Sequence, residues 1–182
     1  MKIMARRLAG TFEIVLDARR DERGHFMRWY DAATFAAAGL PTRWVQGNES
    51  ASRRNVVRGL HFQRARHAET KLVRAVAGSV YDVFVDLRRG SATFGQWDAV
   101  RLDAAAANAV LVPKGFAHGF CVTSDEAVVS YLVDNEYAPD AEGGLAWDDP
   151  DLAIAWPLTG AAVVSAKDRA WPRLRGLEPL EG

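Results

Sequence analysis

Only one cysteine, Cys121, occurs in the 182 residues. No disulfide can form within the chain, and this cysteine usage favours a reducing compartment. Long apolar runs are missing too: no segment approaches the roughly 18 apolar residues of a membrane span. The basic start, Met1-Lys2-Ile3-Met4-Ala5-Arg6-Arg7, runs into Glu13, Asp17 and Arg19, where a signal peptide would have its apolar stretch. These absences predict a cytoplasmic protein. Neither sign of charge is in excess, with 23 Lys plus Arg against 23 Asp plus Glu, so no global field recruits nucleic acid or an acidic membrane. A Gly-rich phosphate loop and a serine-nucleophile motif are absent, and Cys121 lies in an apolar run with no activating neighbour. With no repeat, low-complexity tract or Pro/Ser-rich linker to divide it, the chain reads as a single domain over residues 1–182.

What is present is a series of short β-rich segments in a chain that is 49% hydrophobic, enough for a real core. Strands are expected near 11–16, 43–50, 56–63, 71–77, 80–87, 96–102, 108–112, 117–123 and 127–133. One helix stands out: Asp31 can cap the run Ala32–Ala38, and Gly39 followed by Pro41 ends it. Ala77-Gly78-Ser79 reads as a compact hairpin turn and Arg88-Arg89-Gly90-Ser91 as another turn. Many short strands without long helices indicate an all-β fold, a double-sheet jelly roll with short peripheral helices.

Several side chains suggest chemistry. In Val57-Arg58-Gly59-Leu60-His61-Phe62-Gln63, His61 has a side chain suited to proton transfer near neutrality. A lone strand histidine is more often structural than catalytic. Ten residues on, Lys71 shares a strand face with Val73 and Ala75, which points its ammonium inward, where it can neutralise a developing oxyanion. Arg58 and His61 lie three apart, so strict alternation separates them unless Gly59 marks a bulge. Tyr131 shares a face with Val129 and Val133, as a packed tyrosine does; alternatively it is an acid opposite His61, and a base and an acid on two faces of one carbon make an epimerase. Gln46, Asn48 and Ser50 share one strand face, either lining a pocket or facing solvent at an edge. Asp168 is by itself one acidic residue in a C-terminal loop, or else a partner that holds the tautomer of the imidazole, and Arg23 and Arg58 suit phosphate.

Pro113-x-Gly115-x-x-His118 resembles the second motif of the cupin superfamily, whose metal-binding members take a ligand at this histidine. The first motif would supply His-x-His and a glutamate. Here it reads His61-Phe62-Gln63 with Glu69 beyond, and glutamine is a poor replacement for a histidine ligand. No metal is expected.

Taken in order, Asp21-Glu22-Arg23-Gly24, Gln46-Gly47-Asn48, Arg58 to Gln63, Lys71-Leu72-Val73, Asp82 to Arg88, Ser91 to Gly95, Gly115 to Phe120, Tyr131, Asp149-Pro150, Trp156-Pro157 and Lys167-Asp168 closely resemble the dTDP-4-dehydrorhamnose 3,5-epimerase family. The resemblance runs from about Gly10 to Trp171. It implies a cupin-like jelly roll that inverts C3, C5 or both of a nucleotide-diphospho-4-keto-6-deoxyhexose, without cofactor or metal. His61 would be the base, oriented by Asp168, with Tyr131 the opposing acid and Lys71 beside the enolate. His118 would line the site. Gln46, Asn48 and Arg58 would hold the sugar and diphosphate. Arg23 and Phe26 would reach the nucleotide across a homodimer made by exchange of N-terminal strands. One departure bears on the substrate: Arg28 stands where the family usually has a glutamate that accepts a hydrogen bond from thymine. An arginine cannot accept it, so uridine and guanosine diphosphate sugars stay open beside thymidine. The other readings are a metal-dependent cupin isomerase or dioxygenase using His61, Gln63, Glu69 and His118, and a non-catalytic nucleotide-sugar-binding jelly roll.

Overall fold

The computed structural model describes residues 1–181. Its strands are β1 (Lys2–Ala5), β2 (Phe12–Val15), β3 (Arg19–Asp21), β4 (Gly24–Phe26), β5 (Gln46–Arg53), β6 (Val57–Gln63), β7 (Lys71–Ala77), β8 (Ser79–Asp86), β9 (Trp97–Asp103), β10 (Asn108–Val112), β11 (Phe116–Val122), β12 (Glu126–Val133) and β13 (Glu142–Gly144). Two short helices join them, α1 (Ala32–Ala37) and α2 (Ala166–Arg169). A six-stranded sheet has the order β1-β2-β10-β7-β12-β5, and a five-stranded sheet has the order β13-β6-β11-β8-β9. All the pairings within them are antiparallel. The two sheets form a cupin-like jelly roll, as the strand pattern predicts.

Alternation explains the layers. Inward residues of both sheets, among them Val73, Val110 and Val129 from one and Phe84, Phe120 and Leu102 from the other, make the central core. The outer face of the six-stranded sheet offers Ile14, Leu72 and Leu111, and the buried Phe35 of α1 packs on it. Asp31 caps that helix, its Oδ1 accepting from the Thr34 backbone N–H at 2.9 Å. The outer face of the five-stranded sheet is covered by the C-terminal segment, which contributes Leu145, Leu152, Leu177 and Leu180.

Each of the nine expected strands has a counterpart, though the one expected at 43–50 begins and ends three residues later, at Gln46–Arg53. The Ala77-Gly78-Ser79 turn requires a correction. β7 pairs with β10 and β12, whereas β8 pairs with β11 and β9. Gly78 therefore carries the chain from one sheet to the other and closes no hairpin. Each flanking strand has two neighbours elsewhere, and those pairings decide the topology over the local turn signal.

Candidate active site

Strict alternation would put Arg58 and His61 on opposite faces of β6. The register with β11 changes between them: His61 faces His118 and Arg58 faces Phe120, so Gly59 and Leu60 together oppose Gly119 alone. This is the bulge that the Arg58–His61 spacing requires. A β-carbon on Gly59, which has φ +127°, would lie 2.6 Å from the Gly119 Cα; one on Gly119 would lie 2.5 Å from the Arg58 carbonyl oxygen. Two glycines are the only residues that let the backbones meet there. As a result Arg58 and His61 both line a cavity of about 520 Å³ between the sheets, together with Ser50, Lys71, His118, Tyr131, Lys167 and Asp168.

The imidazole is held from the far end of the chain. Ser165 caps α2, its Oγ accepting from the Asp168 backbone N–H at 3.0 Å, and this fixes the buried Asp168 beside β6. Asp168 Oδ1 accepts from His61 Nε2 at 2.6 Å and from the Trp171 indole at 3.3 Å, while Oδ2 accepts from the Gly59 N–H at 3.2 Å. Burial pushes the Asp168 carboxyl up, but the hydrogen bond and charge of His61, the Gly59 amide and the indole outweigh it and hold the group below the usual carboxylate range. An ionised carboxylate only accepts, so Nε2 carries the proton of the neutral ring and Nδ1 is left with the free lone pair. Trp171 stands edge-on to His61, with centroids 6.4 Å apart. It has room because Gly144, paired with His61 in the sheet, has no side chain: a β-carbon there would lie 2.4 Å from the indole.

Across the cavity, Lys71 projects inward from β7, and its Nζ is ion-paired with Glu69 and sits 5.6 Å from the centre of the Tyr131 ring. Burial, reinforced by the Glu69 charge and partly offset by Arg58, pushes the Tyr131 phenol up, so it stays protonated at neutral pH. His118 donates from Nε2 to both oxygens of Asp82, at 3.0 and 2.9 Å, deep in the core. Burial pushes the Asp82 carboxyl up against the pull of His118. At the rim, Glu142 accepts from both Lys167 Nζ and the Tyr137 hydroxyl at 2.6 Å. The cavity thus offers an imidazole with an ordered tautomer, a protonated phenol, two ammonium groups and a guanidinium, an inventory suited to moving protons on a bound carbon acid.

The sequence pattern of the dTDP-4-dehydrorhamnose 3,5-epimerase family matches residues 5–176. The chain belongs to that family. It is 46% identical over 170 residues to the dTDP-4-dehydrorhamnose 3,5-epimerase of Methanothermobacter thermautotrophicus, covering 92% of this chain and 91% of that protein. It is 44% identical over 170 residues to the dTDP-4-dehydrorhamnose 3-epimerase of Streptomyces niveus, covering 93% and 82%. Among solved structures it resembles a 4-keto-6-deoxy sugar epimerase from the novobiocin biosynthetic gene cluster of Streptomyces spheroides, with a TM-score of 0.94, 42% identity and coverage of 99% and 93%.

Not every residue that the family resemblance singles out meets in this cavity within one chain. Gln46 and Asn48 lie on the edge strand β5, opposite Val133 and Tyr131. Gln46 Oε1 accepts from the Tyr137 N–H at 2.7 Å, and Asn48 is exposed; of that strand face, Ser50 lines the cavity. Arg58 bonds Ser52 Oγ at 2.9 Å. Phe26 and Arg28 line a different hollow of about 340 Å³ with Met1, Asp17, Arg19, Asp31 and Thr34. Arg28 pairs with Asp31 at 3.5 Å, and Arg23, 85% exposed, pairs with Asp21 at 2.6 Å. The residues of the metal-binding alternative are engaged elsewhere: Glu69 with Lys71 and Gln63, and His118 with Asp82. Among the described residues no three His, Cys, Asp or Glu side chains gather as a metal cage. Buried Cys121 has its thiol pushed up to about 11 by burial, which leaves it inert.

Proposed function

We propose that this chain is a cofactor-free, metal-free epimerase that inverts C3, C5 or both of a dTDP-linked 4-keto-6-deoxyhexose. The observation that carries this reading is the sharing of one cavity by His61, whose Nδ1 is free, and Tyr131, whose phenol stays protonated, with Lys71 between the sheets beside them. His61 Nδ1 takes the proton from the carbon next to the C4 ketone; that C–H pair becomes the C=C bond of an enolate, and the carbonyl electrons move to O4. The Lys71 ammonium faces that oxygen, where charge develops. Tyr131 then gives its proton to the other face of the carbon, and proton exchange with water resets His61 and Tyr131. Gln46, Asn48 and Arg58 hold the sugar and diphosphate, with His118 lining the site.

Arg23 and Phe26 act across a homodimer made by exchange of N-terminal strands. Two features support this. Phe26 is 71% exposed on a hairpin apart from the cavity of His61 and Tyr131, and β5, the strand beside Tyr131, ends its sheet with one side open. Arg28 replaces the acceptor expected for thymine, so the thymidine part rests on the names of the relatives. Among the described residues no helix is long and apolar enough to cross a membrane, and the lone buried cysteine fits the cytoplasm.

The test is exchange in heavy water, followed by proton NMR with dTDP-, UDP- and GDP-linked 4-keto-6-deoxyhexoses, in the presence and absence of EDTA. Deuterium should enter C3, C5 or both of the dTDP sugar regardless of chelator. Exchange abolished by EDTA would favour the metal-dependent reading. Tight binding without exchange at either carbon would reduce the protein to a sugar-binding jelly roll.

A further inference from the structure

Glu69 stands at a cupin ligand position, yet its carboxylate is fully engaged by the protein. Oε1 holds the Lys71 ammonium and Oε2 accepts from Gln63 Nε2 at 3.1 Å. The two charged side chains are only 11% and 10% exposed, so the pair is largely shielded from water at the cavity wall. Gln63 is itself buried and anchored to backbone on both ends of its amide. The two hydrogens of its Nε2 are shared between Glu69 and the His67 and Glu136 carbonyls, both at 3.0 Å, and its Oε1 accepts from the Ala138 N–H at 2.7 Å. A chain of contacts therefore runs from the backbone of the 136–138 loop through Gln63 and Glu69 to the Lys71 ammonium.

We propose that Glu69 is a positioning residue for the epimerisation, one that clamps the Lys71 ammonium at the place where enolate charge develops. The inference rests on the reading of Lys71 given above. Its physical basis is entropic and geometric. A lysine side chain is a point charge on a flexible four-carbon stem, and an unanchored ammonium spreads over many rotamers. One proton of the ammonium goes to Glu69, leaving two for substrate oxygen. The carboxylate can hold the ammonium still because its other oxygen is braced by Gln63. A preorganised donor costs no rearrangement as the charge appears, whereas a wandering one does. The Glu69 charge also helps to keep the Tyr131 phenol protonated. The site that in a metal cupin would bind a cation with Gln63 and Glu69 is here built around an amino-acid cation.

A structural ion pair that merely stabilises the loop makes a different prediction, and a double-mutant cycle separates the two. E69Q keeps the size of the side chain and removes its charge. Its kcat should fall by about tenfold or more, short of the roughly 10²–10³ for losing a stabilising donor outright, with KM and the dTDP-induced thermal shift little changed. In the K71M background, E69Q should cause no further loss. Equal losses in both backgrounds, or unchanged kcat in E69Q, would overturn the proposal. If E69Q does not fold, E69D, which keeps the charge but retracts it by one methylene, carries the same cycle with the same criteria. The wild-type exchange experiment keeps the two levels apart: no exchange by wild-type protein defeats the epimerase reading and this inference with it, while wild-type exchange with an additive cycle defeats only the inference.

Discussion

An imidazole whose Nε2 is tied to an ionised carboxylate has one nitrogen left for chemistry, so its loss should be felt in turnover and not in binding. His61→Asn removes that nitrogen. Turnover should fall by about 10²–10⁴, the usual loss for a general base, while calorimetry should find dTDP binding intact. Unchanged turnover would take His61 out of its role. At this scale much of the site was legible. The inward direction of Lys71 follows from its alternation with Val73 and Ala75, both buried, and the position of Tyr131 from Val129 and Val133. Asp82 was legible too, though the reading gave it no role: it stands between Val80 and Phe84 on an inward face where alternation calls for an apolar side chain, and it is the partner of His118. Glu69 was seen only as a ligand for a metal. Asp168 lies 107 residues from His61 in sequence, and no periodicity spans that distance; only the family pattern pointed to it.

The bulge in β6 does for the strand what no single side chain does. It spends one extra residue to bring two neighbours on opposite faces into one cavity, and the approach of Gly59 to Gly119 leaves no space for a methyl group. Gly119→Ala forces the two strands apart, so it should destabilise the protein by about 1–3 kcal/mol and separate Arg58 from His61. Urea unfolding and turnover measured together check this; an unchanged midpoint with unchanged turnover would mean that the bulge tolerates a side chain and does not set the geometry. The elements that went unread have physical reasons. β3 and β4 are exposed throughout and show no apolar alternation. In β13, Glu-Gly-Gly has almost no strand propensity; the strand exists because its glycines let Phe62 and Trp171 pack against bare backbone. α2 has four residues, too few for a helical period to register, and only Ser165 marks its start.

For the molecule as a whole, the jelly roll was legible because nine strand-like runs leave no room for a parallel α/β sheet, whereas the sheet to which each strand belongs was not, as the crossover at Gly78 demonstrates. The open side of β5 and the isolated hairpin carry the prediction at this scale. Sedimentation equilibrium should give twice the 20.0 kDa chain mass, and deletion of residues 19–26 should weaken nucleotide binding without emptying the cavity of His61 or Tyr131. A single-chain mass at micromolar concentration would leave Arg23 and Phe26 with no cavity to reach.

The route of residues 145–180 has a consequence for synthesis. They cover the outer face of the five-stranded sheet from both sides of α2, with Leu145 and Leu152 before it and Leu177 and Leu180 after it, and α2 hands Asp168 back to the imidazole. A nascent polypeptide can thus pair every strand of both sheets while its histidine still spins without a carboxylate to orient it and the wall from Val163 to Asp168 is still missing. A product that stops short of Ala166 has all thirteen strands but neither Lys167 nor Asp168 at its cavity, so it should do almost nothing to a sugar nucleotide.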